Sequence, residues 1–297
     1  MPDIRQIAAQ IADQVGQAAG HPFAGAQAHS VGGGCINTAV TLSDGIYSYF
    51  VKLNRADLLP MFEAEAAGLT ELAASGTLRI PRPLCTGLAL GQAYLAMEYI
   101  ELGGRPAGGA AQAGRLLAAM HRTTRPQFGW ARDNTIGATP QRNTPDSNWA
   151  RFWAELRLGP QLDLAARNGY GGALQRTGEA LLASLPALLE HAPAGSLLHG
   201  DLWGGNMAFA RDGEAVIFDP AVYYGDREAD LAMTELFGGF GGDFYAAYRE
   251  AWPLDAGYAT RRDLYNLYHV LNHLNLFGGG YLGQARDLMG RLLAQVR

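Results

Sequence analysis

Cysteine is scarce: Cys35 and Cys85 are the only two in 297 residues. So few cannot staple a disulfide scaffold, and they fit a reducing cytoplasm. Cationic charge is short as well. With 23 Lys and Arg against 28 Asp and Glu, the net charge is −5, which gives no footprint for nucleic acid or an anionic membrane. No apolar run reaches the roughly 18 residues that span a bilayer. The N-terminal stretch MPDIRQIAAQIADQVGQ lacks the continuous apolar segment of a signal peptide. Apolar residues, by contrast, are plentiful at 48%, which rules out disorder over most of the chain. The length suits one large domain or two modest lobes. A globular intracellular protein without a nucleic-acid or membrane partner is expected.

Periodicity divides the chain near residue 100. Ile4, Ile7, Ile11 and Val15 recur at steps of three and four, which predicts a helix over 3–17. Gly32-Gly33-Gly34 interrupts a weakly amphipathic segment over 31–42. Ser43-Asp44-Gly45 is a hairpin signal leading into IYSYFVKL (46–53), a β-branched and aromatic strand. A helix is predicted over 59–74 and a strand over 92–100, with Pro81 and Pro83 between them. After the breaker cluster 103–109 the pattern is mostly helical, apart from a strand-rich patch over 196–219 and a Gly-rich turn between two C-terminal helices. The predicted class is α+β and bilobal. A β-rich N-lobe (1–100) would bind nucleotide, and a larger helical C-lobe (101–297) would carry a catalytic loop and substrate site.

The densest chemistry is LHGDLWGGN (198–206) followed by VIFDP (216–220). Asp201 with Asn206 five positions later matches the spacing of the kinase catalytic loop, H-x-D-x-x-x-x-N. One carboxylate must sit beside an attacking hydroxyl, while an amide oxygen on the same loop holds a hard cation against phosphates. Asp219, ending a short apolar strand, would complete that metal site, and such oxygen ligands suit Mg²⁺. A plainer reading makes 199–201 an Asx-type turn and Asp219 a strand-end cap. The order of the remaining parts favours the catalytic one. Lys52 lies on an apolar strand, where an ammonium is costly unless paired or holding phosphate. Glu65 follows in a helical run, placed like the kinase Glu that pairs with that Lys. Upstream, the backbone of Gly33 and Gly34 can approach phosphate closely.

These stretches resemble the fructosamine/ketosamine-3-kinase family, within the wider aminoglycoside-phosphotransferase-like and protein-kinase-like fold. The resemblance rests on GGGCIN (32–37), FVKLN (50–54), MFEAEAAGLTEL (61–72), YLAMEYIE (94–101), DNTIGATPQRN (133–143), HGDLWGGN (199–206), FDPAVYYGDREADLAMTELFGGF (218–240) and LNHLNLFG (271–278). The Trp203-Gly204-Gly205 insert and the 218–240 run are the more particular of these. Protein kinases differ: 32–34 is not G-x-G-x-x-G, Asp219-Pro220 replaces D-F-G, and no Ala-Pro-Glu element follows. The resemblance implies ATP- and Mg²⁺-dependent phosphorylation of the 3-hydroxyl of ketosamines (ribulosamine, erythrulosamine or fructosamine adducts, free or protein-linked). The 3-phosphate destabilises the adduct and releases the amine, a deglycation repair. An aminoglycoside or other small-hydroxyl kinase, and a nucleotide-binding pseudokinase, are the alternatives. Monomer and dimer stay equally open.

By position, the resemblance assigns Asp201 to the substrate hydroxyl and Asn206 and Asp219 to the metal. Gly33, Gly34, Cys35, Asn37, Lys52, Glu65, Met97, Glu98 and Ile100 are assigned to the nucleotide, with backbone groups of 98–100 reading the adenine edge. Trp203 and His273 are candidates for the sugar or its amine, and Gln141, Asn143 and Trp149 either share that role or brace the helical lobe. His199 and Asp230 are structural supports, and His121 packs. Cys35, among backbone N–H groups on the loop, is either a lowered-pKa redox switch or a small apolar filler. Cys85 reads as core.

Overall fold

Helix α1 (Ile4–Ala19) lays Ile7, Ile11 and Val15 on one face of a five-stranded antiparallel sheet. The protein is described by a computed structural model covering residues 4–32 and 36–296. The strands are β1 (Gln27–Val31), β2 (Thr38–Ser43), β3 (Ser48–Arg55), β4 (Pro83–Ala89) and β5 (Gln92–Glu98), in the order β1-β2-β3-β5-β4. The turn after β2 forms as its sequence dictates. Asp44 Oδ1 accepts from the amides of Ile46 at 2.9 Å and Tyr47 at 2.7 Å, and Gly45 takes φ +91°. Along β3 the period of two sorts the side chains: Tyr49, Val51 and Leu53 join the α1 core. Phe50 and Lys52 therefore point to the opposite face. The periodicity reading missed β4, whose opening Pro83, with Pro81 just before the strand, read as punctuation. Pro83 is tolerated because it opens an edge strand, where its missing N–H costs no ladder bond, and the register shifts just after it.

Helix α2 (Leu59–Ala73) crosses the inner face of the sheet. Beyond β5 the chain forms β6 (Leu102–Gly103), α3 (Gly109–His121), β7 (Thr124–Arg125), β8 (Asn134–Ile136) and β9 (Thr139–Gln141). Then come α4 (Trp149–Trp153), a π turn (Ala154–Leu158), α5 (Gly159–Arg167) and α6 (Ala173–Leu188). Next are β10 (Gly195–Leu198), β11 (Met207–Ala210), β12 (Ala215–Ile217) and β13 (Tyr223–Gly225). Helices α7 (Glu228–Leu236), α8 (Gly242–Ala251), α9 (Tyr258–Phe277) and α10 (Leu282–Ala294) close the fold. Helix α9 buries residues on all sides, including Leu264, Leu267, Val270 and Leu271, as a central helix must.

The sheet ends near residue 98, yet the hydrophobic core does not. Leu69 and Leu72 of α2 and Leu95 and Met97 of β5 belong to the same cluster as Leu197, Ile217 and Leu271. A Cβ on Gly68 of α2 would lie 3.1 Å from Val222, so this helix rests directly on the segment after Asp219. A second tie runs through Arg79. Its amide donates to Ala215 O at 3.0 Å, its carbonyl accepts from Ile217 N at 3.1 Å, and its guanidinium spans Glu98 and Glu214. Among the described residues no helix is long and apolar enough to cross a membrane.

Candidate active site

The loop after β10 and the segment after β12 are zipped together by three hydrogen bonds. Phe218 N donates to Asn206 O at 3.2 Å, and Ala221 N donates to His199 O at 2.8 Å. His199 Nε2–H donates to Phe218 O at 3.0 Å. Gly200 makes the crossing possible. Its φ is +83°, and a Cβ there would fall 2.1 Å from Ala221 O, so no other residue fits. Asp219 itself sits at φ +59°, a left-handed conformation that costs a non-glycine residue energy and turns the carboxylate toward the cleft between sheet and helices. Strain of this kind persists where surrounding contacts over-determine it, here Phe218 on one side and Ala221 on the other.

Lys52, 5% exposed on the inner face of β3, points at that carboxylate. Its ammonium donates to Glu65 Oε1 at 2.5 Å and also to Asp219 Oδ1. Burial alone would depress the lysine pKa; the charges of Glu65 and Asp219 overcome it and hold the group above its usual value. The cation is therefore permanent, and two carboxylates fix where it points. Glu65 comes from α2, whose packing on 220–222 brings it within reach of both β3 and Asp219.

Asp201 and Asn206 face the same cleft. Asn206 Nδ2 donates to Asp201 O at 2.8 Å and approaches Asp201 Oδ2 at 3.4 Å. Among the described residues no hydrogen bond reaches Asn206 Oδ1, which leaves the amide oxygen as an unused acceptor. The second oxygen of Asp219 is likewise uncommitted, and its side chain is 48% exposed. One amide oxygen and one carboxylate on adjoining strand ends fit a hard divalent cation. The Asp201 carboxyl is pushed up to about 7, first by burial and then by the charges of Asp219 and Asp230. Compensating the Asp219 charge would remove part of that lift.

The profile of the fructosamine kinase family matches residues 7–295. A Synechocystis sp. protein named probable ketoamine kinase is 49% identical over 284 residues, covering 95% of this chain and 96% of that protein. The chain belongs to the fructosamine kinase family. It is a phosphotransferase acting on a hydroxyl group. The chloroplastic protein-ribulosamine 3-kinase of Arabidopsis thaliana is 47% identical over 90% of this chain and 83% of its own. Among solved structures, a Haemophilus somnus protein described as of fructosamine-3-kinase type superposes with a TM-score of 0.89 at 26% identity, covering 98% and 99% of the two chains. The aminoglycoside phosphotransferase APH(4)-Ia, at TM-score 0.64 and 16% identity over 92% of this chain and 94% of its own, shares the fold alone.

In this family member the loop that carries Asp201 hangs from Asp230. Its Oδ2 accepts from His199 N at 2.7 Å and its Oδ1 from Gly200 N at 2.8 Å. His121, which sequence reading made a packing residue, is more than that: its Nε2 lies 3.2 Å from Asp230 Oδ2 while Nδ1 meets Tyr248 OH at 2.8 Å. Burial would raise the Asp230 pKa, but His121 and the loop amides win and lower it. His199 has no free nitrogen for proton transfer, since Nδ1 accepts from Asp201 N at 3.2 Å and Nε2–H is on Phe218 O.

Helix α9 holds a third buried imidazole, His269. Burial, with His273 alongside, pushes His269 down to about 3, so it is neutral in the fold. An unfolded histidine protonates near 6.5, so between about 6.5 and 3 the unfolded chain binds the extra proton. Stability is then present above pH 6.5 and falls with acidification, by roughly 1 kcal/mol per pH unit at the limit. Urea unfolding at pH 7, 6 and 5 should show this slope in the wild type and a shallower one in His269→Gln. Equal slopes would remove His269 as its source.

Gly33, Gly34 and Cys35 lie outside the described residues. Asn37 accepts within a clip: Asn54 Nδ2 donates to Asn37 Oδ1 at 2.7 Å and to Ile36 O at 3.2 Å. Sequence reading missed Asn54, although it ends the FVKLN stretch. Ile36 and Leu276 each come within 3.1 Å of a Cβ built on Gly137, so this loop reaches over the β8–β9 turn to the end of α9. Met97 is buried in the core. The Glu98 side chain turns away from the cleft to Arg79 at 2.6 Å, and its amide donates to Arg82 O at 2.8 Å. Among the described residues no acceptor takes the Ile100 N–H, which is free for a ligand edge. The Cys85 thiol is half-buried and pushed up by that burial.

Gln141, Asn143 and Trp149 are all buried, which places them among the bracing residues and not on a substrate-facing wall. Gln141 Nε2 donates to Ala221 O at 3.2 Å, and Asn134 Nδ2 to Val222 O at 2.8 Å, so β8 and β9 fasten the segment that follows Asp219. Asn143 Oδ1 accepts from the buried Arg157 at 2.7 Å, and Trp149 donates to Tyr265 OH at 2.9 Å. Trp203 and His273, by contrast, are on the open side. The indole of Trp203 folds over Gly205, where a Cβ would strike it at 2.2 Å. His273 donates from Nδ1 to His269 O at 2.8 Å, which leaves Nε2 as an acceptor.

Proposed function

We propose that this protein uses ATP and Mg²⁺ to phosphorylate the 3-hydroxyl of ketosamines, free or carried on a protein. Residues 1–100 would form the nucleotide-binding lobe and residues 101–297 the lobe with the catalytic loop and acceptor site. The observation that carries the reading is the meeting of Lys52, Glu65, Asp219, Asn206 and Asp201 at one cleft, in a chain 47% identical to a protein-ribulosamine 3-kinase.

Asn206 Oδ1 and the free oxygen of Asp219 would hold the metal, which supplies charge neutralisation for the phosphates. Lys52 now pairs with Asp219; with nucleotide bound it would exchange part of that contact for phosphate oxygens while Glu65 keeps it aimed. Ile100 N–H, together with the Glu98 carbonyl, would read the adenine edge. Asp201 orients the acceptor hydroxyl and takes its proton late, because a carboxylate is far too weak a base to ionise a sugar hydroxyl in the ground state. Phosphoryl transfer through a loose transition state asks mainly for such positioning and electrostatics.

ADP release should be measured with ribulose, erythrulose and fructose adducts of an amine, with the 3-deoxy adducts, and with kanamycin. Stimulation by the ketosamines and none by their 3-deoxy forms is expected. No response to any ketosamine, or an equal response to kanamycin, would overturn the reading.

A further inference from the structure

The stretch assigned to the adenine edge is held from the side away from the cleft. Glu98 closes β5, and bonds from residues 79–82 fix it. Its amide donates to Arg82 O at 2.8 Å, its Oε2 accepts from Arg82 N at 3.2 Å, and its Oε1 accepts from Arg79 Nη2 at 2.6 Å. The other arm of the Arg79 guanidinium donates to Glu214 Oε2 at 2.8 Å, on the turn between β11 and β12. Glu101 meets the same turn, where its carbonyl accepts from Arg211 N at 2.9 Å. Tyr99 and Ile100 therefore bridge the gap between two anchors that share one turn.

Arg79 also touches the strand that leads to the far end of the site. Its amide and carbonyl bridge Ala215 and Ile217 of β12, and Ile217 stands two residues ahead of Asp219. Leu78 and Ile80, on either side of it, are buried in the core, so the backbone under this side chain is fixed. A fully exposed ion pair contributes little, because water screens it and two long side chains lose freedom. This network differs. The Arg79 and Glu98 side chains are only 34 and 32% exposed, and one planar fork joins carboxylates from two elements far apart in sequence.

We infer that Arg79 is a positioning residue for the nucleotide: by gripping Glu98 and Glu214 together, it holds the backbone of 98–100 in register with the strand that ends at Asp219. The inference rests on the nucleotide half of the proposed function. Arg79 touches no ligand and acts through the Glu98 carbonyl and the Ile100 N–H. The 6-amino group of ATP would donate to that carbonyl, and N1 would accept from that N–H. Hydrogen bonds weaken steeply with misalignment, so the rigidity of this edge decides how much the base adds to affinity. Alanine at 79 keeps the bridge to β12, which uses only backbone atoms, and releases the Glu98 carboxylate from its cation.

Equilibrium binding to the full-length protein in the presence of Mg²⁺ should compare ATP with purine riboside triphosphate, which lacks the 6-amino group. The wild type is expected to bind ATP about tenfold more tightly, or roughly 1.4 kcal/mol. Arg79→Ala should shrink that ratio to about twofold. Arg79→Lys keeps the charge but not the fork, and should hold the ratio at about fivefold. Thermal melting reports whether each variant is folded. A merely structural role would weaken both nucleotides alike; a ratio unmoved in the folded alanine variant therefore overturns the inference. A wild-type ratio near one also overturns it alone, because no backbone edge then reads the amino group. No binding of either nucleotide by the wild type overturns the nucleotide reading and the positioning role with it.

Discussion

Asp201→Ala is expected to lower kcat by about a thousandfold, within the usual range for loss of a positioned proton acceptor, while the KM for ATP moves less than threefold. The split follows from what the side chain touches. Among the described residues its carboxylate approaches only Asn206 Nδ2, at 3.4 Å, whereas the Asn206 contact that sets the loop is to the Asp201 backbone carbonyl at 2.8 Å. Alanine keeps that carbonyl, and it keeps the amide that donates to His199 Nδ1. Lys52, Glu65 and Asp219 form a separate cluster, to which the proposed function assigns the nucleotide. Loss of a buried carboxyl lifted to about 7 should, if anything, relieve repulsion with Asp219 and leave the fold intact. Steady-state kinetics with a ketosamine acceptor tests this. Turnover within tenfold of wild type would remove Asp201 from the acceptor hydroxyl.

Local order was readable from the chain, and long-range pairing was readable only in part. The Lys52–Glu65 spacing and the Asp201–Asn206 spacing are short enough to fix strand-to-helix and loop geometry, and both pairs lie in contact. The alternation of β3 likewise predicts which face Lys52 takes. That Lys52 also reaches Asp219, 167 residues away, depends on α2 resting on 220–222 through Gly68, and no periodicity encodes such a contact. Similar limits explain Asn54, an ordinary strand-end polar residue until it meets Asn37, and His121, whose helical stripe shows burial without naming Asp230 as partner. Strand β4 escaped because proline carries the same punctuation whether it ends an element or opens an edge strand. Trp203 and His273 stood out as residue types, but Phe237, whose ring lies against both, follows α7 and meets His273 of α9 only through packing that no periodicity encodes.

Asp230 is expected to be the most costly single carboxylate to replace for stability. Both of its oxygens accept from buried donors: Oδ1 from Gly200 N, and Oδ2 from His199 N and His121 Nε2. Alanine would strand two backbone N–H groups and an imidazole away from water. At about 1–3 kcal/mol for each unsatisfied donor, the loss should reach roughly 3–5 kcal/mol. Asparagine is the sharper test, because it nearly preserves shape. An amide has one acceptor end, so either orientation aims its NH₂ at Gly200 N–H on one side or at His199 N–H and His121 on the other. Asp230→Asn should therefore lose roughly 2 kcal/mol or more in urea unfolding and also lower kcat, since Gly200 immediately precedes Asp201. If Asp230→Asn unfolded within about half a kcal/mol of wild type, one oxygen would suffice, and the two-point suspension of the loop that carries Asp201 would be wrong.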